Sequence, residues 1–239
     1  MTAPSPNPVT TRWIDVPTPD GTMGAYLALP PAGQGPGLLL WQEIFGVNGH
    51  IRAVAEQYAL DGFVVLAPDV FWRQEPRLDI GYTPDDIQHG RRLAGQLQPA
   101  AVRTDIEAAL ASLRGLPAVG GRKVGSFGYC MGGRLAYLSA AFTDIDAAVA
   151  YYGGGIQGQL DKAAAVRCPM QFHYAEHDDN IPPAAVEAVR AAMAGRPAEV
   201  FVYPGAHHGF NCWARGAYHP ASAALARGRT LAFLGGALF

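Results

Sequence analysis

Three side chains in this sequence are of a type and order that could cleave an activated carbonyl. The first is Cys130, in Gly128-Tyr-Cys-Met-Gly132. A G-x-nucleophile-x-G run between an apolar strand (Val124 to Phe127) and a helix (about Met131 to Ala141) reads as a nucleophile elbow with sulfur in place of oxygen. The backbone is strained at such a corner, and residues two positions away must lack side chains. The corner also sets the sulfur at a helix N-terminus, where the dipole favours a thiolate. A thiol nucleophile needs a base, and the base needs an orienting acid. Both should follow Cys130 at later strand ends. Glu176-His-Asp-Asp-Asn180 follows the predicted strand Met170 to Ala175, and Pro204-Gly-Ala-His-His-Gly209 follows Glu199 to Tyr203. Asp178 is the preferred acid, with Asp179 and Glu176 as competitors. His208 is preferred to His207 as base, because Gly209 lets the loop turn tightly beside it.

An oxyanion would need two donors. The backbone N–H of Met131 and that of Ile44, after the strand Leu38 to Trp41, are the candidates. Glu43 is an acid at the end of a buried strand. It is either a solvated or turn-stabilising group or a carboxylate that hydrogen-bonds the thiol and controls its charge.

The elements that must carry these residues alternate. Trp13 to Val16 and Met23 to Leu29 predict an antiparallel hairpin at a sheet edge, turned at Pro19-Asp-Gly21. From Leu38 onward, strands and helices take turns. Helices are expected over His50 to Leu60, from Pro84-Asp-Asp86 with a break near Pro99, over Val102 to Arg114, Pro183 to Ala194 and Ala217 to Leu234. Further strands are expected over Phe63 to Ala67 and Ile145 to Tyr152, and loops over the aromatic-rich Val70 to Pro84 and over Pro204 to Trp213. The pattern predicts an α/β fold, a mostly parallel central sheet with helices on both faces. Residues 13–239 are expected to form one domain, after a loose tail over 1–12.

Net charge is −2, which points to neither nucleic acid nor an anionic membrane. No apolar run is long enough to span a membrane, and the N-terminus has no apolar segment of secretory type. The cysteines, Cys130, Cys168 and Cys212, are far apart and odd in number. That argues against a disulfide framework or a zinc site and predicts a reducing, cytoplasmic compartment.

Gln42-Glu-Ile-Phe-Gly-Val-Asn48, Gly128-Tyr-Cys-Met-Gly-Gly133, the Asp178 segment and His208-Gly-Phe210 together resemble the dienelactone hydrolase (carboxymethylenebutenolidase) family over about Trp13 to Leu234. The resemblance implies an α/β-hydrolase fold without metal or cofactor, and a triad of Cys130, Asp178 and His208. It implies that Glu43 partners the thiol and that Tyr151-Tyr152-Gly153 forms a pocket wall. The implied partner is a small ester or enol-lactone, and a monomer or weak dimer is expected.

The family holds a substrate carboxylate with two arginines. Here Ile87 and Cys212 stand at those positions. Arg91 and Arg92, one turn beyond Ile87, Arg215 and the loop residue Arg73 are the possible replacements, with Tyr82, Tyr152 and Phe210 as further substrate contacts. The leading expectation is hydrolysis through an acyl-thioester, favouring weakly basic leaving groups. The alternatives are a thioesterase or peptide hydrolase on the same triad, or a ligand-binding or redox-sensing protein on the same scaffold.

Overall fold

A computed structural model of the chain describes residues 8–239. Eight strands form one sheet: β1 (Thr10–Thr18), β2 (Gly21–Leu29), β3 (Gly37–Trp41), β4 (Val64–Pro68), β5 (Val124–Tyr129), β6 (Ala147–Tyr151), β7 (Met170–His177) and β8 (Ala198–His207). Six α-helices accompany them among the described residues: α1 (Gly49–Leu60), α2 (Pro84–Gly95), α3 (Pro99–Gly115), α4 (Met131–Phe142), α5 (Pro183–Ala192) and α6 (Pro220–Leu238). The strand order is β1-β2-β4-β3-β5-β6-β7-β8. β1 and β2 form the expected hairpin, β2 runs antiparallel to β4, and the remaining pairs are parallel. This is the α/β-hydrolase arrangement. The expected tail over residues 1–7 lies outside the described residues, whereas residues 10–12, also placed in it, belong to β1.

The central strands β3, β4, β5 and β6 are buried along their whole length. Their continuous apolar runs suit a sheet covered on both faces. Trp41 ties three elements beneath the site, since its indole Nε1 donates to Ser126 Oγ at 2.9 Å and to Ser139 Oγ at 3.1 Å. From β3 the chain crosses to β4 on one side and returns to β5 on the other. That switch opens a crevice between the loops after β3 and β5.

Several boundaries differ from the sequence expectation. β8 continues through Pro204 and Gly205 to His207, where a loop was expected. β8 is the last strand of the sheet, and an edge strand tolerates proline, whose missing N–H has no ladder partner to lose. A register shift between Ala175 and His177 accompanies the extension. Asp178 and His208 are consequently the first residues past two neighbouring strands. α2 and α3 are separate helices, the second starting at Pro99, and a Thr83–Asp86 capping box closes the start of α2. α6 starts at Pro220, three residues later than expected, because a proline fits the first turn and the His219 ring accepts from the Ser222 N–H.

Candidate active site

Cys130 sits between β5 and α4 with φ 55° and ψ −116°. A non-glycine residue there costs of order 1–3 kcal/mol and persists only where its surroundings hold it. Its N–H donates to Tyr151 O at 3.0 Å, and its carbonyl accepts from Gly133 and Arg134 N–H. The flanking glycines are sterically required. A Cβ on Gly132 would lie 2.1 Å from Trp41 O, and one on Gly128 would lie 2.3 Å from Gly132 O. The bend therefore brings backbone against backbone and leaves the sulfur half-buried and facing a cleft.

Asp178 Oδ2 accepts from His208 Nδ1 at 2.7 Å, with the carboxylate buried and the ring nearly so. Asp178 Oδ1 accepts the Asn180 N–H at 2.9 Å, which fixes the carboxylate plane. His208 and Cys130 line the same cleft. Burial disfavours charge on the ring, but attraction to the Cys130 sulfur and the bond to Asp178 outweigh it and raise His208 to about 10. The competitors lie elsewhere. His207 is exposed beside His177, and Glu176 is exposed and accepts the Gly205 N–H at 2.8 Å. Asp179 is exposed.

The cleft has a volume of about 390 Å³. Ile44 and Met131 line it. Met131 is the first residue of α4, so its N–H has no acceptor within the helix. Glu43 is 1% exposed, which removes the reading of a solvated acid. Its carboxylate accepts from Arg215 Nη1 at 3.0 Å. The expected partner was the thiol; a guanidinium from the loop after β8 meets the carboxylate instead. Burial pushes the Glu43 carboxyl up, and Arg215 and His208 pull it back down.

Of the six expected substrate contacts, Arg91 and Arg215 line the cleft. The other four are not among its lining residues. Arg73 is neutralised by Asp20 at 2.8 Å and Asp105 at 2.6 Å, pinning the aromatic loop to α3 and the hairpin. Tyr82 packs edge-on against Phe45, and its hydroxyl accepts from Asn48 Nδ2 at 3.1 Å and faces the Cys212 thiol at 3.4 Å. Tyr152 and Phe210 are fully buried. Tyr152 meets the His208 ring edge-on at 5.1 Å, and Phe210 backs Tyr152 at 5.4 Å, so Tyr152 props the imidazole from within the core.

Sequence reasoning missed Arg134, Asn180 and the Gly154-Gly155 turn, all of which line the cleft. A signal existed for Arg134. It lies four residues after Cys130 on a helix, where i and i+4 share a face.

Among the described residues, Glu43, His50 and Cys212 bring metal-capable atoms within 4.8 Å of one another. Arg215 already holds Glu43, and its positive charge opposes a dication there. Burial, aided by Arg215, pushes His50 down to about 4, so its ring is neutral and packs on Trp213 and Tyr129.

The sequence profile of the Dienelactone hydrolase family matches residues 23–238. The chain belongs to that family. It is 35% identical over 230 residues to the carboxymethylenebutenolidase of Pseudomonas putida, covering 94% of this chain and 96% of that protein. It is 33% identical over 217 residues to the carboxymethylenebutenolidase of Pseudomonas sp. strain P51, covering 90% of each. Among solved structures, a Klebsiella pneumoniae chain superposes with a TM-score of 0.84 at 30% identity, covering 95% of this chain and 98% of that one. The dienelactone hydrolase of Anabaena variabilis, at 17% identity and a TM-score of 0.72 over 97% of this chain and 99% of that one, shares the fold.

Proposed function

We propose that this dienelactone hydrolase-family chain hydrolyses small activated esters or enol-lactones through an acyl-thioester on Cys130. The observation that carries the reading is the 2.7 Å bond between His208 Nδ1 and the buried Asp178, with the ring in the cleft that Cys130 lines. A carboxylate only accepts, so Nδ1 carries a proton and Nε2 is the nitrogen that exchanges one with sulfur.

In this reading the thiol proton passes to Nε2, leaving a thiolate and an imidazolium. The raised value of His208 supports such a pair, because the imidazolium is favoured beside a negative sulfur. The sulfur electron pair attacks the substrate carbonyl, and the C=O pair becomes an oxyanion facing the Met131 and Ile44 N–H groups. The oxyanion collapses, the C–O bond breaks, and the leaving oxygen takes the imidazolium proton. Water then gives a proton to Nε2 and its oxygen to the thioester carbonyl. The acid departs, and the sulfur is regenerated.

Thiolate is itself a good leaving group. Forward collapse therefore requires a leaving oxygen less basic than an alkoxide, which selects enol-lactones and aryl esters over peptides. The test is p-nitrophenyl acetate hydrolysis by wild type and Cys130→Ala. Turnover confined to wild type is expected, and equal rates in the two proteins would remove the mechanism.

A further inference from the structure

Three guanidinium groups line the Cys130 cleft: Arg91, Arg134 and Arg215. They differ in how their charge is met. Arg215 is paired with Glu43. Arg91 is exposed, where water screens it. Arg134 is only partly exposed, and among the described residues no carboxylate or other side chain pairs with it in a hydrogen bond or salt bridge. A half-buried cation without an anion is costly unless something supplies one.

The backbone is shaped around this side chain. Arg134 crosses the turn after β6 at Gly155, where a Cβ would lie 2.8 Å from Arg134 Nη1 and 3.4 Å from its Cδ. Gly155 has φ 87°, a conformation side chains rarely adopt, so the turn both needs glycine and leaves the groove in which the guanidinium lies. Burial pulls Arg134 below the usual guanidinium value, and a thiolate at Cys130 would pull it back. The group is thus partly desolvated and within the field of the nucleophile.

We propose that Arg134 is the anion subsite of this cleft, binding a carboxylate carried on the acyl portion of the substrate. The assignment rests on the ester-hydrolase reading above and names a specificity residue within it.

The test uses p-nitrophenyl esters matched in length, neutral (butyrate, valerate) and anionic (the mono-esters of succinic and glutaric acid). Arg134→Gln should lower the ratio of anionic to neutral kcat/KM by about 10- to 100-fold, the range of one hydrogen bond to a charged group, and Arg134→Lys should recover part of it. An equal loss on both ester classes, together with slowed iodoacetamide labelling of Cys130, would mean that Arg134 acts on the sulfur, and would overturn the assignment. So would an unchanged ratio. Binding is read apart from turnover by calorimetry of succinate and glutarate on Cys130→Ala protein. Loss of that binding in Cys130→Ala/Arg134→Gln supports the subsite even if the acyl-thioester mechanism fails. Equal binding in both proteins overturns it.

Discussion

Asp178 and His208 each occupy the first position past a strand, β7 and β8 respectively, and their side chains meet at 2.7 Å across that boundary. Thirty residues separate them in sequence, yet parallel pairing of the two strands makes them neighbours. Asp178→Asn keeps the shape but presents an amide that can donate to Nδ1, so the ring is free to carry its proton on the nitrogen facing sulfur. The expected result is a fall in kcat/KM of about 10²- to 10⁴-fold on aryl esters, with thermal unfolding little changed. Steady-state kinetics on the purified variant check it.

The charge of His208 depends on the sulfur opposite. Burial alone would push the ring down, and the Cys130 sulfur heads the causes that raise it to about 10. Cys130→Ala should therefore move the His208 titration well below that of wild type, as read by NMR of the ring protons. The stability consequence has a definite sign. A value raised in the folded state contributes stability fully present below the usual imidazole value of about 6.5, and loses it as pH rises through the folded value. Wild type should lose stability across that window. Cys130→Ala should complete its loss at lower pH, as seen in denaturant unfolding across the range.

Much of this was legible in the chain because local chemistry fixed it. The elbow needs glycine at 128 and 132 for steric reasons, so its place in the sequence is its place in the fold. Asp178 and His208 could be found because they end adjacent strands. Glu43 and Arg73 show where such reading stops. Each was expected to face the site, and each found an opposite charge first: Glu43 took Arg215, 172 residues later, and Arg73 took Asp20 and Asp105. Ion pairing between distant segments leaves no periodic trace. Tyr152 and Phe210 sat beside the right residues in sequence but on the core side of the backbone.

Arg73 anchors a loop and should behave accordingly. Its guanidinium bridges Asp20, which is exposed, and Asp105, which is buried, and Trp72 Nε1 also donates to Asp105 at 3.2 Å. Arg73→Ala leaves Asp105 with the indole alone. We expect a destabilisation of about 1–3 kcal/mol, with KM for small esters altered less than about twofold. Denaturant unfolding alongside p-nitrophenyl acetate kinetics separates the two effects. A large rise in KM with stability unchanged would return Arg73 to the substrate cleft.

The Glu43–Arg215 pair is nearly dry, with side chains 2% and 17% exposed. Arg215→Met should cost about 3–5 kcal/mol, because it strands a buried carboxylate. Much of that should return in Glu43→Gln/Arg215→Met, which removes both charges, and a double-mutant cycle measures the coupling. The pH dependence follows from the same pair. Burial already raises the Glu43 carboxyl, and losing Arg215 raises it further. A carboxyl raised in the folded state binds its proton more tightly there than in the unfolded chain, so stability falls as pH rises above the ordinary carboxylate value. The deficit of Arg215→Met against wild type should therefore be smallest in mild acid and grow toward neutral pH. A deficit independent of pH would show that the carboxylate is not what Arg215 stabilises.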